Sequence, residues 1–371
     1  MKLHGIERAP DERVNWKTSF PFFLVHALVL LSFVTGVDGT AAVIFLVMYW
    51  GRMFFITAGY HRYFSHRSYK LNRGMQFVMA FGGGMSAQKG ALWWASHHRN
   101  HHRYSDTELD LHSPQKGFWW SHVGWILCDK NNDWDADGIR DFNKFPELRF
   151  LNKHDWIPPW VAGVSCYLIG GWSGLVFGFL GSTVLLWHST FLVNSLAHVM
   201  GRRRYATTDT SRNSALIAFL TLGEGWHNNH HYYQASARQG FFWWEWDPSY
   251  YVLKGLSYVG LVKDLKEPPV RVKTAARVRD GQFDMGMFKA HWAKAGQALH
   301  NVRSHLPGHD PVVAEPDLDP EVAGRREQLE ERIHASRATL ESYVASSLHS
   351  AEELAKLSRR RQREPAGVHA D

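Results

Sequence analysis

The chain has 371 residues, 17 of them Trp, and only two cysteines. Cys128 and Cys166 exclude a disulfide framework, a four-cysteine zinc site and an iron–sulfur cluster held by this chain alone, so a metal site must use nitrogen and oxygen ligands. The formal charge of +7 suits an anionic leaflet, with blocks such as Arg202-Arg203-Arg204 at headgroups, and no nucleic-acid-binding module accompanies it.

The mean hydropathy of -0.32 averages two unlike parts. Residues 1–265 carry nearly all the long apolar runs and are expected to form one membrane domain; the remainder is charged and poor in Trp. A first apolar run, Phe20 to Val37, and a second, Ala41 to Ala58, are separated by Asp38-Gly39-Thr40. Each approaches the ~20 residues that span a hydrocarbon core. Lys2, Arg8, Arg13 and Lys17 precede this hairpin and Arg62, Arg67, Lys70 and Arg73 follow it, while its own loop lacks Lys and Arg. The positive-inside rule therefore puts both outer ends in the cytosol. The first run begins too late, and lacks the cleavage pattern, for a signal peptide.

Shorter runs at Met75 to Met85 and Ala215 to Leu222 are below spanning length and are expected at the interface or beneath a metal site. The acidic stretch Asp129 to Asp141 reads as a surface loop. A second hairpin is expected from Ile157 to Val193, reversing at Gly170-Gly171-Trp172-Ser173-Gly174 and flanked by Lys153 and Arg202 to Arg204. A linker follows over residues 266–320, with Pro307, Pro311, Pro316 and Pro320. The tail, residues 321–371, has apolar residues at Val322, Leu329, Ile333, Leu340, Val344, Leu354 and Leu357. This near-heptad spacing reads either as a partner helix or as an amphipathic helix lying on the domain.

Eight histidines stand in three clusters at the cytosolic ends of these elements: His61 and His66; His98, His101 and His102; His227, His230 and His231. Positions i, i+3 and i+4 share a helix face, so each of the last two clusters converges on one space. His61 and His66 do not, because five residues advance an α-helix by ~500°; His61 is expected to end a span and His66 to come from the turn or helix beyond. Eight imidazoles exceed the four ligands of a closed zinc site and favour two metals. His97 falls outside the spacing. Asp106, Glu108, Asp110 and Glu224 are candidate acceptors for the outer ring nitrogens. Arg52, inside the second run, is expected to meet either a polar group near a channel or backbone carbonyls.

Five runs carry a family resemblance: TAGYHRYFSHRSYK (57 to 70), WWASHHRNHHRYSDTELDLH (93 to 112), GFWWSHVGW (117 to 125), NSLAH (194 to 198) and EGWHNNHHYY (224 to 233). Over residues 15–265 the chain resembles the membrane-bound acyl-CoA Δ9 desaturases. The resemblance implies an all-α integral membrane fold with four transmembrane helices in two hairpins, under a cytosolic helical cap that holds a histidine-ligated di-metal centre. It implies an enzyme that uses two irons, O2 and two electrons to place a double bond in a saturated fatty acyl chain. The implied ligands are His61, His66, His98, His101, His102, His198, His227, His230 and His231, with Asn194 acting through water; Asn194 and His198 stand at i, i+4, in keeping with a shared site. The implied substrate tunnel takes Gln88, Trp94 and Thr190, with Tyr49 near its closed end.

Two departures bear on the carrier. Family members that bind coenzyme A have Arg-Asp where this chain has Ser96-His97, and basic residues where it has Cys128-Asp129-Lys130. An acid facing a phosphorylated carrier is unfavourable, so the carrier stands open between acyl-CoA and an acyl lipid. No fused cytochrome b5 motif is present, His305-Leu306-Pro307-Gly308-His309 being only superficially similar. Electrons are therefore expected from a separate ferredoxin- or cytochrome-type donor with its reductase. The implied location is a membrane, most simply a bacterial inner membrane, with the catalytic face cytosolic. The rival readings are a di-iron lipid hydroxylase and a histidine-rich metal transporter.

Overall fold

The computed structural model describes residues 8–278 and the backbone of residues 283 and 284. The tail and most of the linker lie outside the described residues. Helix α1 (Trp16–Val29) starts where Asn15 caps it, its side chain accepting from the Lys17 and Thr18 amides and satisfying two of the helix's orphan donors. The same side chain donates to the Asp129 carboxylate at 2.8 Å, which ties the acidic loop to the first apolar helix. Helix α2 (Gly39–Phe54) is capped by Asp38, whose carboxylate accepts from the Ala41 amide at 2.7 Å. It runs on into a π-helical segment, Phe55–Ser65.

Three helical stretches are long and apolar enough to cross a membrane: Trp16–Thr35, Gly39–Ser65 and Ile157–Val199. The last has 43 residues, roughly 65 Å if straight and about twice a bilayer core. It is not straight. Gly171 adopts φ 60 and ψ -150, a conformation rare for side chains larger than hydrogen. A Cβ on Gly163 would lie 3.2 Å from the Phe179 ring, whereas sixteen residues of straight helix would hold these positions about 24 Å apart. Helix α5 (Ile157–Ser173) thus folds back on the π-helical segment Gly174–Gly181, which runs on into helix α6 (Ser182–Asn194).

Arg52 staples the two apolar hairpins. Its five N–H groups meet the carbonyls of Met48 (2.8 Å), Met85 (3.2 Å) and Phe179 (3.5 Å) and the hydroxyls of Thr183 and Ser182 (2.6 Å each). Each donor of the guanidinium is matched, by the expected backbone carbonyls and by two hydroxyls that lie outside the cavity lining.

Helix α3 (Arg73–Gly84) and helix α4 (Ala91–Tyr104) pack beside the π-helical segment Phe55–Ser65, and α3 fills the place of the expected short run at Met75. It buries Met79, Ala80 and Gly82 to Gly84. The cap is completed by short helices, loops and two two-residue antiparallel pairings, Lys70–Leu71 with Val262–Lys263 and Gly201–Arg202 with Phe283–Asp284. Its core gathers Tyr60, Phe64, Leu92, Ala95, Leu148 and Leu253.

Backbones approach closely where α3 meets that π-helical segment. A Cβ on Gly83 would lie 2.2 Å from the Tyr60 ring, whereas one on Gly74 would meet only the Asn72 side chain at 3.5 Å. Gly83→Val is expected to destabilise the protein by about 2 kcal/mol or more through overpacking. Gly74→Ala should leave stability unchanged or raise it by about 0.5–1 kcal/mol. Thermal unfolding of the detergent-solubilised variants checks both.

Candidate metal centre

His61 and His66 share a face because their segment is not an α-helix. Over Phe55–Ser65 the chain winds with i→i+5 hydrogen bonds, and at its end the His66 amide donates to the His61 carbonyl at 3.3 Å. Five residues then make about one turn, and the two rings lie 4.9 Å apart between centroids. His66 thus stands in the turn just beyond the span, as expected, and the π-helical winding before it brings its ring onto the face of His61.

The remaining ligand candidates come from α4, from the turn Leu196–Val199 beyond α6, and from a short helix, residues His227–Tyr232. All nine converge in two groups. His61, His66, His98, His102 and His230 form one; His101, His198, His227 and His231 form the other; within each, one nitrogen per residue lies within 4.8 Å of the rest. Sequence neighbours separate, His101 from His102 and His230 from His231, so two helices bridge the groups.

The Nε2 atoms face each other. His61 to His230 is 3.0 Å, His230 to His102, His102 to His98 and His98 to His66 are each 2.9 Å, and His198 to His227 is 3.0 Å. A first-row ion takes imidazole nitrogen at about 2.1 Å, and ligands at right angles around it lie about 3.0 Å apart. The donor spacing fits bound metal.

On the outer side, carboxylates orient the rings. Asp110 lies 3.0 Å from His101 Nδ1, Asp106 3.1 Å from His198 Nδ1, Asp209 2.7 Å from His231 Nδ1 and Glu224 2.5 Å from His61 Nδ1. A carboxylate there keeps the proton on Nδ1 and turns the Nε2 lone pair inward. Burial would raise Asp106, Asp110 and Asp209, but the facing imidazoles and hydrogen bonds overrule it and hold all three well below the usual carboxylate range. Burial, reinforced by neighbouring imidazoles, pushes His66, His98, His102, His227 and His230 well below the ordinary histidine value. Burial also takes His231 down to about 4 against the pull of Asp209. Neutral imidazole is the form that binds metal.

Of the expected acceptors, Asp106, Asp110 and Glu224 face histidines, whereas Glu108 is exposed and makes no such contact. Asp209 was not expected; no motif spacing links it to His231. His97 belongs to neither group: it stacks on Trp93 at 4.1 Å, with its ring nitrogens on the Trp93 and Asn131 carbonyls. His112, also unforeseen, shares Asp110 with His101.

A narrow cavity opens beside the five-histidine group. His61, His98, Trp94, Thr190, Asn194, Glu224, Met53, Ile56, Thr57, Val193 and Thr221 line it. Of the expected tunnel residues, Trp94 and Thr190 face it, and Gln88 reaches its wall by donating to the Thr190 hydroxyl at 3.2 Å. Tyr49 lies outside this lining, its hydroxyl on Ser189 Oγ (2.9 Å) and the Leu220 carbonyl (2.8 Å). Ser96, at the first departure from the family pattern, exchanges hydrogen bonds with the Asp135 backbone.

Apolar helices of spanning length, joined to a buried double cluster of histidines and a cavity beside it, define a membrane-associated metalloprotein. Residues 39–245, more than half of the chain, match the fatty acid desaturase family. The chain is 35% identical over 269 residues to the sn-2 palmitoyl-lipid 9-desaturase of Nostoc sp. (strain 36), covering 71% of this chain and 94% of that protein. It is 36% identical over 265 residues to the sn-1 stearoyl-lipid 9-desaturase of Anabaena variabilis (70% and 97%) and 40% identical over 271 residues to the acyl-CoA C20 Delta5-desaturase of Anemone leveillei (72% and 79%). The chain belongs to the fatty acid desaturase family and is an oxidoreductase.

Removing an orienting carboxylate should loosen metal without touching a ligand. Asp209→Asn is expected to lower metal affinity about 10–100-fold, and Glu108→Gln to leave it unchanged. Metal content after titration with a competing chelator checks the pair.

Proposed function

We propose that this desaturase places a cis double bond at C9 of a saturated acyl chain esterified in a membrane lipid. The observation that carries the reading is the pair of inward-facing imidazole groups beside a cavity walled by apolar helices. In this reading His61, His66, His98, His102 and His230 would hold one iron and His101, His198, His227 and His231 a second, with Asn194 assisting through water. Bound iron supplies the oxygen-dependent redox chemistry needed to break unactivated C–H bonds, which zinc lacks. The balance is –CH2–CH2– plus O2, two electrons and two protons giving –CH=CH– and two waters.

The chain's own residues position and shield. Met53, Ile56 and Trp94 exclude water from the chain and hold one methylene pair beside the imidazoles. The Gln88–Thr190 hydrogen bond fixes one wall of the cavity, and Tyr49, behind the lining, is read as standing near the closed end of the acyl path. Asp106, Asp110, Asp209 and Glu224 keep protons on the outer nitrogens while the inner ones bind. Reducing equivalents come from a separate ferredoxin- or cytochrome-type protein with its reductase. In this reading the 43-residue stretch, which reverses at Gly171, crosses twice, for four spans in all, with the cap on the cytosolic side of a bacterial inner membrane.

Lipid is favoured over coenzyme A as the carrier. The cyanobacterial relatives, which this chain matches over nearly their whole length, are named for lipid substrates. Here the positions that departed from the coenzyme A pattern are engaged within the protein, Ser96 with Asp135 and Asp129 with Asn15.

Expression in a host lacking the activity, with electron partners supplied, should yield lipid-bound monoenes whose double bond is located chemically at C9. A hydroxylated product without a double bond would overturn desaturation, and products confined to the acyl-CoA pool would overturn the carrier. Tyr49→Ala should shift the product distribution toward longer chains, read by mass spectrometry of the same lipids.

A further inference from the structure

Helix α7 (Ala215–Leu220) leads into Thr221, which lines the cavity beside the histidines, and its outer face meets only aromatic rings among the described residues. Ile217 and Ala218 are fully buried, while Leu216 and Phe219 are 63% and 52% exposed. The Leu220 carbonyl accepts from Tyr49, and Thr221, the next residue, lines the cavity. The contact behind the helix is close enough that a Cβ on Gly225 would lie 2.0 Å from the Ala218 nitrogen.

The setting of α7 follows from its neighbour. The Phe219 ring lies 5.8 Å from Trp50, which stands eleven residues into the stretch beginning at Gly39. Trp50 therefore lies within a stretch of spanning length, and α7 packs against the apolar side of that helix. An exposed apolar face there meets acyl chains and not water.

The patch continues outward. Phe219 meets Trp246 at 6.3 Å, and Trp243, Trp244 and Trp246 are 81%, 57% and 54% exposed while Glu245 and Asp247 between and beside them are buried. A loop in water would present its acids and cover its indoles. This one does the reverse, and indoles concentrate at the headgroup level of a bilayer.

We propose that α7 and the loop Trp243 to Trp246 form a bilayer-facing wall of the acyl cavity, and that the seam between Trp50 and Phe219 is a lateral mouth. A chain still esterified to a membrane lipid enters through it while the headgroup stays at the level of the tryptophans. The mouth rests on the lipid reading above; the bilayer-facing wall does not. A glycerolipid needs such a mouth because its second acyl chain has no reason to leave the bilayer, so the reacting chain must move sideways within it.

The test uses the full iron-loaded protein in nanodiscs of phosphatidylcholine and phosphatidylglycerol. Nitroxides are placed at Leu216→Cys and Trp244→Cys, with Arg140→Cys as the aqueous control; both native cysteines are buried. The first two labels should relax faster with O2 than with a water-soluble nickel chelate, and the control should do the opposite. Labels at 216 and 244 that behave like the control overturn the bilayer-facing wall, whether or not the protein desaturates lipid. Separately, Phe219→Cys alkylated with a bulky maleimide should lose turnover of nanodisc lipid about tenfold relative to the unalkylated variant, with iron content unchanged. Full turnover after alkylation overturns the mouth. No lipid conversion by any unalkylated form removes the lipid reading and the mouth with it, while the nitroxides still decide the wall.

Discussion

Nitrogen lone pairs that face one another at about 3 Å in a buried space repel unless a cation stands among them, and the rest of this fold is arranged around that constraint. Neutral imidazole supplies the lone pair, and a carboxylate behind it keeps the ring's proton on the far nitrogen. The two groups differ in this respect. Asp106, Asp110 and Asp209 all back the four-histidine group, whereas the five-histidine group has Glu224 alone among the described contacts. The cavity adjoins the group with the single carboxylate, whose His61 and His98 form part of its wall. Negative charge is thereby concentrated on the side away from the apolar chain, where desolvating it costs least.

Glu224 also shows how deeply the site is wired into the fold. Its second oxygen accepts from the buried Arg62 guanidinium at 3.0 Å, which reaches Asp247 at 2.8 Å on its other side. Asp247 in turn accepts from the Gln239, Gly240 and Tyr250 amides. The orientation of His61 therefore depends on a loop nearly two hundred residues later. The same loop turns its tryptophans outward, so one short stretch both supports the histidine site and presents exposed indoles.

Much of the site was legible in the sequence because its elements obey simple periods. His98, His101 and His102 stand at i, i+3 and i+4 of a helix, and the glycine-rich reversal is marked by composition. The His61–His66 pair was not legible in the same way. Its spacing argues against one helical face, and only the π-helical winding, set by packing against α3 and α4, brings the rings together. Asp209 was invisible for a related reason: it approaches His231 from a loop, and loop acids follow no period. Arg52 could be recognised as costly, but not how its charge would be satisfied, since its acceptors come from three separate segments.

The sequence by itself determined which chemistry is on offer: imidazole without thiolate, in clusters, beside apolar runs of bilayer length. Helical periodicity and hydropathy are local properties, so a single chain suffices to read them. Only the tertiary structure decided how nine histidines divide between two groups, which acids back four of the rings and which face of α7 is buried. Those are contacts between residues far apart in the chain, and their distances are fixed by packing, which no local pattern records.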